Sequence, residues 1–273
     1  MTAPSHTAPL PASSLRVSLV QGDTRWHDPQ ANRAYYGALV ESLAGRSDLV
    51  VLPETFTSGF SNEALGSAED MDGPTVAWFR SLAQSTGMTL TGSIQCRTER
   101  GVFNRLLWAQ PDGALSCYDK RHLFRMAGEH ERYAAGRDRL VVECRGWRVL
   151  PLVCYDLRFP VFIRQQPRGE TLEYDLLVFV ANWPAPRRNA WRTLLRARAI
   201  ENLACCVGVN RCGEDGNGVA YAGDSVALDH LGEVLVECGA GEQVVTTCLD
   251  GESLQRFRER FPAHRDADRF ELL

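Results

Sequence analysis

Between Leu15 and Phe261 the chain alternates apolar β runs with amphipathic helical segments, and that alternation leaves few architectures open. LRVSLVQG (15–22) has the period-2 apolar positions of a half-buried strand, and residues 28–46 follow as a helix opened by Asp28-Pro29. DLVVLPET is a buried β run that stops at Pro53. A second helix over 73–87 leads into strand-like runs at 88–97, 101–110 and 114–120, with Pro-Asp-Gly at 111–113 as a hairpin turn between the last two. Strands are predicted again within 139–156, 174–183 and 204–213, interrupted by a helix over 189–203. The β content closes with 224–238 and 243–250, and a C-terminal helix begins at 252. This order predicts an α/β protein whose mixed sheets carry helices on their outer faces. Residues 1–14 read as a Pro/Ala/Ser tail, and 15–273 as a single domain without internal repeats.

Composition removes several classes of function. The 34 acidic and 30 basic residues are interspersed, so neither nucleic acid nor a membrane surface is an expected partner. The most apolar stretch, Leu176 to Trp183, is eight residues long, whereas a bilayer span needs roughly 20. The N-terminus has no basic n-region and no apolar core, so a cytoplasmic location is expected, with the thiols reduced. Nine irregularly spaced cysteines without a CxxC argue against a disulfide framework and against a structural zinc site. No phosphate-cradling glycine loop or cofactor motif stands out, and neither metal nor cofactor is expected.

Three β runs end abruptly at a reactive polar residue: LPETFTSGF at Glu54, SCYDKRHLF at Lys120 and LPLVCYDLRFP at Cys154. In α/β proteins catalytic groups are commonly presented where strands give way to loops. Of the 30 basic residues 29 are arginine and one, Lys120, is lysine. A site that needs a compact point charge rather than a planar guanidinium would resist the substitution made everywhere else.

These motifs, in this order and with these neighbours, resemble the nitrilase superfamily of carbon-nitrogen hydrolases, which uses a Glu-Lys-Cys triad. The resemblance runs from about Val17 to beyond Gly232 and takes in RARAIEN (196–202) and YAGDSVALDHLGEVL (221–235). It implies a four-layer α-β-β-α sandwich, paired into a homodimer. It also implies that Glu54 takes the thiol proton of Cys154, protonates the departing ammonia and later activates the water that cleaves a thioester. Lys120 then stabilises the oxyanion, with the backbone N–H of Tyr155 as second donor. Glu129, seven residues before Gly136, matches a second glutamate of the family that orients the lysine and the substrate amide.

Cys154-Tyr155-Asp156-Leu157-Arg158-Phe159-Pro160 looks like the amidase branch acting on small carboxylated amides, and the wider pattern is most similar to bacterial ω-amidases. The implied reaction converts 2-oxoglutaramate to 2-oxoglutarate and ammonia. A substrate carboxylate calls for a cation, and Arg158, Arg187 and Arg188 are the candidates by location. Asn182 and Trp183 end a strand near the expected pocket, where Trp183 could wall a narrow cleft, and Arg198 and Glu201 can pair on one helix face. Within the family the competing readings are an amidase acting on deaminated glutathione, or another aliphatic amidase or nitrilase. A papain-like Cys-His hydrolase with His122 as base, and a non-catalytic interaction protein, are the competitors from other classes.

Overall fold

Leu49 and Val51 pack into one hydrophobic core, while Val50 and Leu52 between them pack into another, so this short strand is buried on both faces. The computed structural model describes residues 14–166, 171–268 and 270–272. In chain order the strands are β1 (Ser14–Gln21), β2 (Leu49–Val51), β3 (Thr89–Thr98), β4 (Gly101–Ala109), β5 (Leu115–Asp119), β6 (Val142–Cys144) and β7 (Trp147–Val153). They continue as β8 (Leu176–Ala181), β9 (Cys205–Asn210), β10 (Cys212–Glu214), β11 (Ala220–Ala222), β12 (Val226–Leu228), β13 (Val234–Glu237) and β14 (Gln243–Asp250). The helices are α1 (Pro29–Glu41), α2 (Pro74–Thr86), α3 (Glu129–Arg132), α4 (Pro160–Ile163), α5 (Arg188–Asn202) and α6 (Gly251–Arg260).

Two six-stranded sheets form, ordered β14-β1-β2-β3-β4-β5 and β13-β12-β9-β8-β7-β6. Each has a parallel trio at its centre, β1-β2-β3 in one and β7-β8-β9 in the other, flanked by antiparallel strands. Leu19, Val51 and Trp108 of the first sheet meet Leu152, Phe179 and Val207 of the second in one core. The opposite face of the first sheet is closed by Tyr36 and Val40 of α1 and by Val76, Phe79 and Leu82 of α2. On the second sheet α5 lies so close over β9 that a Cβ on Gly208 would come within 2.5 Å of Leu195 Cδ1. These are the four layers, helix, sheet, sheet, helix, that the resemblance implied.

Helix starts follow their local chemistry. Asp28 caps α1 by accepting from the Ala31 N–H at 2.9 Å, and Pro29 occupies its first position. That helix ends at Glu41, five residues before the expected Arg46. The tail reading falls on residues 1–13, outside the described residues, and on Ser14, which opens β1 opposite Asp250. Among the described residues no helix is long and apolar enough to cross a membrane.

Candidate active site

Cys154 immediately follows β7, Lys120 follows β5, Asn182 follows β8, and Glu54 lies three residues beyond β2. The two sheets therefore each contribute to one cluster, Glu54 and Lys120 from the first and Cys154 and Asn182 from the second. All four line a cavity of about 370 Å³. Cys154 sits on a strained elbow at φ 44°, and Thr55, next to Glu54, is at φ 42°. Such conformations in non-glycine residues concentrate at functional sites.

At the floor Lys120 Nζ donates to Glu54 Oε1 at 3.0 Å and to both carboxylate oxygens of Glu129 at 3.0 Å. Lys120 and Glu54 are 1% exposed and Glu129 is fully buried. Burial works against the lysine's charge, but Glu129 and Glu54 outweigh it and hold the ammonium well above the usual lysine range. Burial pushes the Glu129 carboxyl up against the pull of Lys120. The Cys154 thiol is driven well above the usual cysteine range by burial and then by Glu54, with Lys120 opposing. At neutral pH Cys154 thus rests as a thiol rather than a standing thiolate.

The carboxylates are held from several sides. Phe124 N–H donates at 2.6 Å to Oε2 of Glu129, which opens the one-turn helix α3. Asn104 on β4 donates from Nδ2 to Glu54 Oε1 at 2.7 Å and its backbone carbonyl accepts from the Lys120 N–H at 3.0 Å. Nothing in the sequence around Asn104 marks it, because its importance comes from the pairing of β4 beside β5. The Asn182 N–H donates to Glu54 Oε2 at 2.7 Å.

A second link between the sheets runs through Asp156, which is fully buried two residues after Cys154. Its Oδ2 accepts from the Tyr118 hydroxyl at 2.7 Å and from the Val153 N–H at 3.1 Å, and its Oδ1 from the His122 N–H at 3.0 Å. His122 Nδ1 bonds the same oxygen at 2.7 Å, and its ring stacks on Phe159 at 3.8 Å. β5 ends at Asp119, so His122 lies beyond the strand, and its ring is held by Asp156 and is not among the residues that line the cavity with Cys154. That geometry corrects the Cys-His alternative.

The three candidate arginines separate. Arg158 and Arg187 line the cavity, with Arg158 over the Trp183 ring at 4.8 Å and Arg187 over Phe124 at 5.2 Å. Arg188 does not line it: its guanidinium makes a bidentate pair with Asp224 at 2.9 and 2.8 Å and is half-exposed. Trp183 is a wall residue, 4% exposed, with its indole N–H donating to Arg187 O at 2.8 Å. The Tyr155 ring also lines the cavity, against Phe124 and Phe159. Another wall was not read from the sequence: the β10–β11 hairpin, separate from both main sheets, brings in Asp215, Asn217, Val219 and Tyr221. Arg198 pairs with Glu201 at 2.9 Å as expected and also donates to Leu157 O at 2.8 Å, bracing the turn after Cys154.

Gly136 is required by close approach. It donates its N–H to Lys120 O at 2.9 Å, and a Cβ there would stand 1.9 Å from Asp119 O. Gly136→Ala is therefore expected to displace the strand end that carries Lys120, costing about 1–3 kcal/mol of stability and lowering kcat about tenfold or more. Denaturant unfolding and steady-state kinetics on the same preparation check both parts.

The carbon-nitrogen hydrolase family model matches residues 16–259, nearly the whole chain. The chain belongs to this family. It is 49% identical over 262 residues to the omega-amidase YafV of Yersinia enterocolitica, covering 96% of this chain and 100% of that protein. It is 32% identical to a 2-oxoglutaramate amidase of Bacillus subtilis, covering 92% and 96% of the two chains. A CN-hydrolase superfamily protein of Xanthomonas campestris, solved with an arsenic adduct in its active site, superimposes with a TM-score of 0.94 at 63% identity. That match covers 96% of this chain and 100% of the other.

Proposed function

We propose that this carbon-nitrogen hydrolase is an ω-amidase that hydrolyses the terminal amide of 2-oxoglutaramate through a thioester on Cys154. Glu54 accepts the thiol proton as sulfur attacks the amide carbon. The oxyanion forms against the Lys120 ammonium and the Tyr155 N–H, and Glu129 keeps that ammonium in place. The proton on Glu54 passes to the nitrogen, the C–N bond breaks and ammonia leaves. Water then attacks the thioester, gives its proton to Glu54 and releases the acid, and the thiol is restored.

The observation that carries the substrate reading is the pair of cations in the same cavity as Cys154, Arg158 and Arg187, in a chain of close similarity to an omega-amidase over nearly all of its length. A carboxylated acyl group has its charge met there by planar donors. Arg158→Ala is expected to raise KM for 2-oxoglutaramate by about 10- to 100-fold, the scale of one charged hydrogen bond, with kcat little changed. Arg188→Ala is expected to leave KM as it is. Ammonia release from 2-oxoglutaramate, 2-oxosuccinamate, glutaramate, deaminated glutathione and an aliphatic nitrile tests the assignment. Faster turnover of deaminated glutathione or of the nitrile overturns it.

The same reading takes the enzyme as a cytoplasmic homodimer. Ile200 on α5 and Leu231 are each 49% exposed, and Gly232 lies directly against Ile200, an arrangement that supports a face for a second copy. Sedimentation of the wild type and of Ile200→Glu distinguishes dimer from monomer.

A further inference from the structure

The buried carboxylate of Asp156 has no part in the proposed reaction, yet its bonds are placed on either side of two groups that do. From the first sheet, the Tyr118 hydroxyl donates to Oδ2 at 2.7 Å and the His122 N–H to Oδ1 at 3.0 Å, with His122 Nδ1 2.7 Å from the same oxygen. Tyr118 stands two residues before Lys120 and His122 two after it. From the second sheet, the Val153 N–H donates to Oδ2 at 3.1 Å, so that Val153 and Asp156 enclose Cys154 and Tyr155 between them. One carboxylate thus ties the segment that carries the ammonium to the turn that carries the thiol. Burial and the neighbouring Asp156 hold the Tyr118 hydroxyl well above the usual tyrosine range, so it remains a donor. The same hydroxyl accepts from the Arg121 N–H at 3.2 Å, which closes the turn around Lys120.

Apolar packing of sheet on sheet sets a separation but little direction, whereas hydrogen bonds to a carboxylate constrain both. An oxyanion hole needs its donors held to within about 0.5 Å. We propose that Asp156 is a positioning residue that sets the Lys120 ammonium against the Cys154 elbow, and with it the spacing of the two oxyanion donors, Lys120 Nζ and the Tyr155 N–H. The inference rests on the amidase reading above and deepens it.

Asp156→Asn sets a donor among the donors around it and is expected to lose stability as well as rate, so the test is made with Tyr118→Phe, which removes one arm of the tether and keeps the ring. Tyr174→Phe is the control: its hydroxyl, also buried, donates to Ile163 O at 2.5 Å, and Tyr174 does not line the cavity. Each variant loses one buried hydrogen bond, and both are expected to lower Tm by about 2–4 °C. Only Tyr118→Phe is expected to lower kcat for 2-oxoglutaramate, by about tenfold. Its KM is expected to stay within about twofold, because Arg158 and Arg187 are untouched. In a Lys120→Arg background the same change is expected to cost less than about twofold in kcat, since the spacing to an ammonium already lost no longer counts. An unchanged kcat in Tyr118→Phe, an equal loss in Tyr174→Phe or an additive loss in the Lys120→Arg background overturns the proposal and leaves Asp156 a structural hub. Should wild-type enzyme release no ammonia from 2-oxoglutaramate, that substrate reading fails, and the tether is read without substrate from iodoacetamide labelling of Cys154. Lys120 is the cation that favours the Cys154 thiolate, so labelling is expected to slow by about threefold in Tyr118→Phe and to keep its rate in Tyr174→Phe. Equal rates in wild type and both variants overturn the proposal.

Discussion

Cys154→Ala is expected to yield a folded protein with no measurable amide turnover, kcat falling on the order of 10⁴-fold or more, as for other nucleophile deletions. The reason is that Cys154 is the only thiol lining the cavity among the described residues, and Glu54 is its hydrogen-bonding neighbour there. Alanine tolerates the elbow as well as cysteine does, because the strain at φ 44° comes from the Cβ that both share. Tm is therefore expected to move by less than about 4 °C. Iodoacetamide should label wild type at Cys154 and spare Cys205, whose thiol burial pushes up to about 12, and Cys206, which lies wholly within β9. Retained turnover in the alanine variant, or labelling of Cys206 ahead of Cys154, would remove Cys154 from the mechanism.

Lys120→Arg is expected to lower kcat by about 10² to 10³, the effect of losing an oxyanion donor. In a chain with 29 arginines a merely structural cation at this position would accept the change. Here the ammonium is enclosed, 3.0 Å from Glu54 and from both oxygens of Glu129 and 5.4 Å from the centre of the Phe60 ring. A guanidinium is wider than that space, and fitting it is expected to cost about 1–3 kcal/mol of stability. Lys120→Met leaves two buried carboxylates without their cation and is expected to be worse for folding, by about 3–5 kcal/mol. Thermal unfolding with steady-state kinetics for the two variants separates the terms. An arginine variant with near-normal kcat would reduce the single lysine to an accident of composition.

The order of elements and the residues at the strand ends could be read from the chain because both are local signals. Alternating apolar positions give the strand, proline and glycine end it, and Glu54, Lys120 and Cys154 stand at the breaks. Glu129 came from the resemblance, by its place seven residues before Gly136, and the close approach of Gly136 to Asp119 gives that glycine a steric basis. The sheet-on-sheet pairing came from resemblance alone, since a strand buried on both faces carries the same apolar run whatever covers it.

What tertiary structure alone decided is which polar groups meet. Arg158, Arg187 and Arg188 are equal in the sequence, yet Asp224, 36 residues on from Arg188, takes that guanidinium out of the site. Asn104 reaches Glu54 from 50 positions away, Asn182 from 128, and Tyr118 reaches Asp156 from 38. Such partners leave no periodic trace, because a hydrogen bond constrains two atoms in space and nothing about the residues between them. The chain by itself determined which side chains could do chemistry and that they would stand at strand ends. The stacking of two sheets determined that a lysine and a glutamate from one would close on a cysteine and an asparagine from the other.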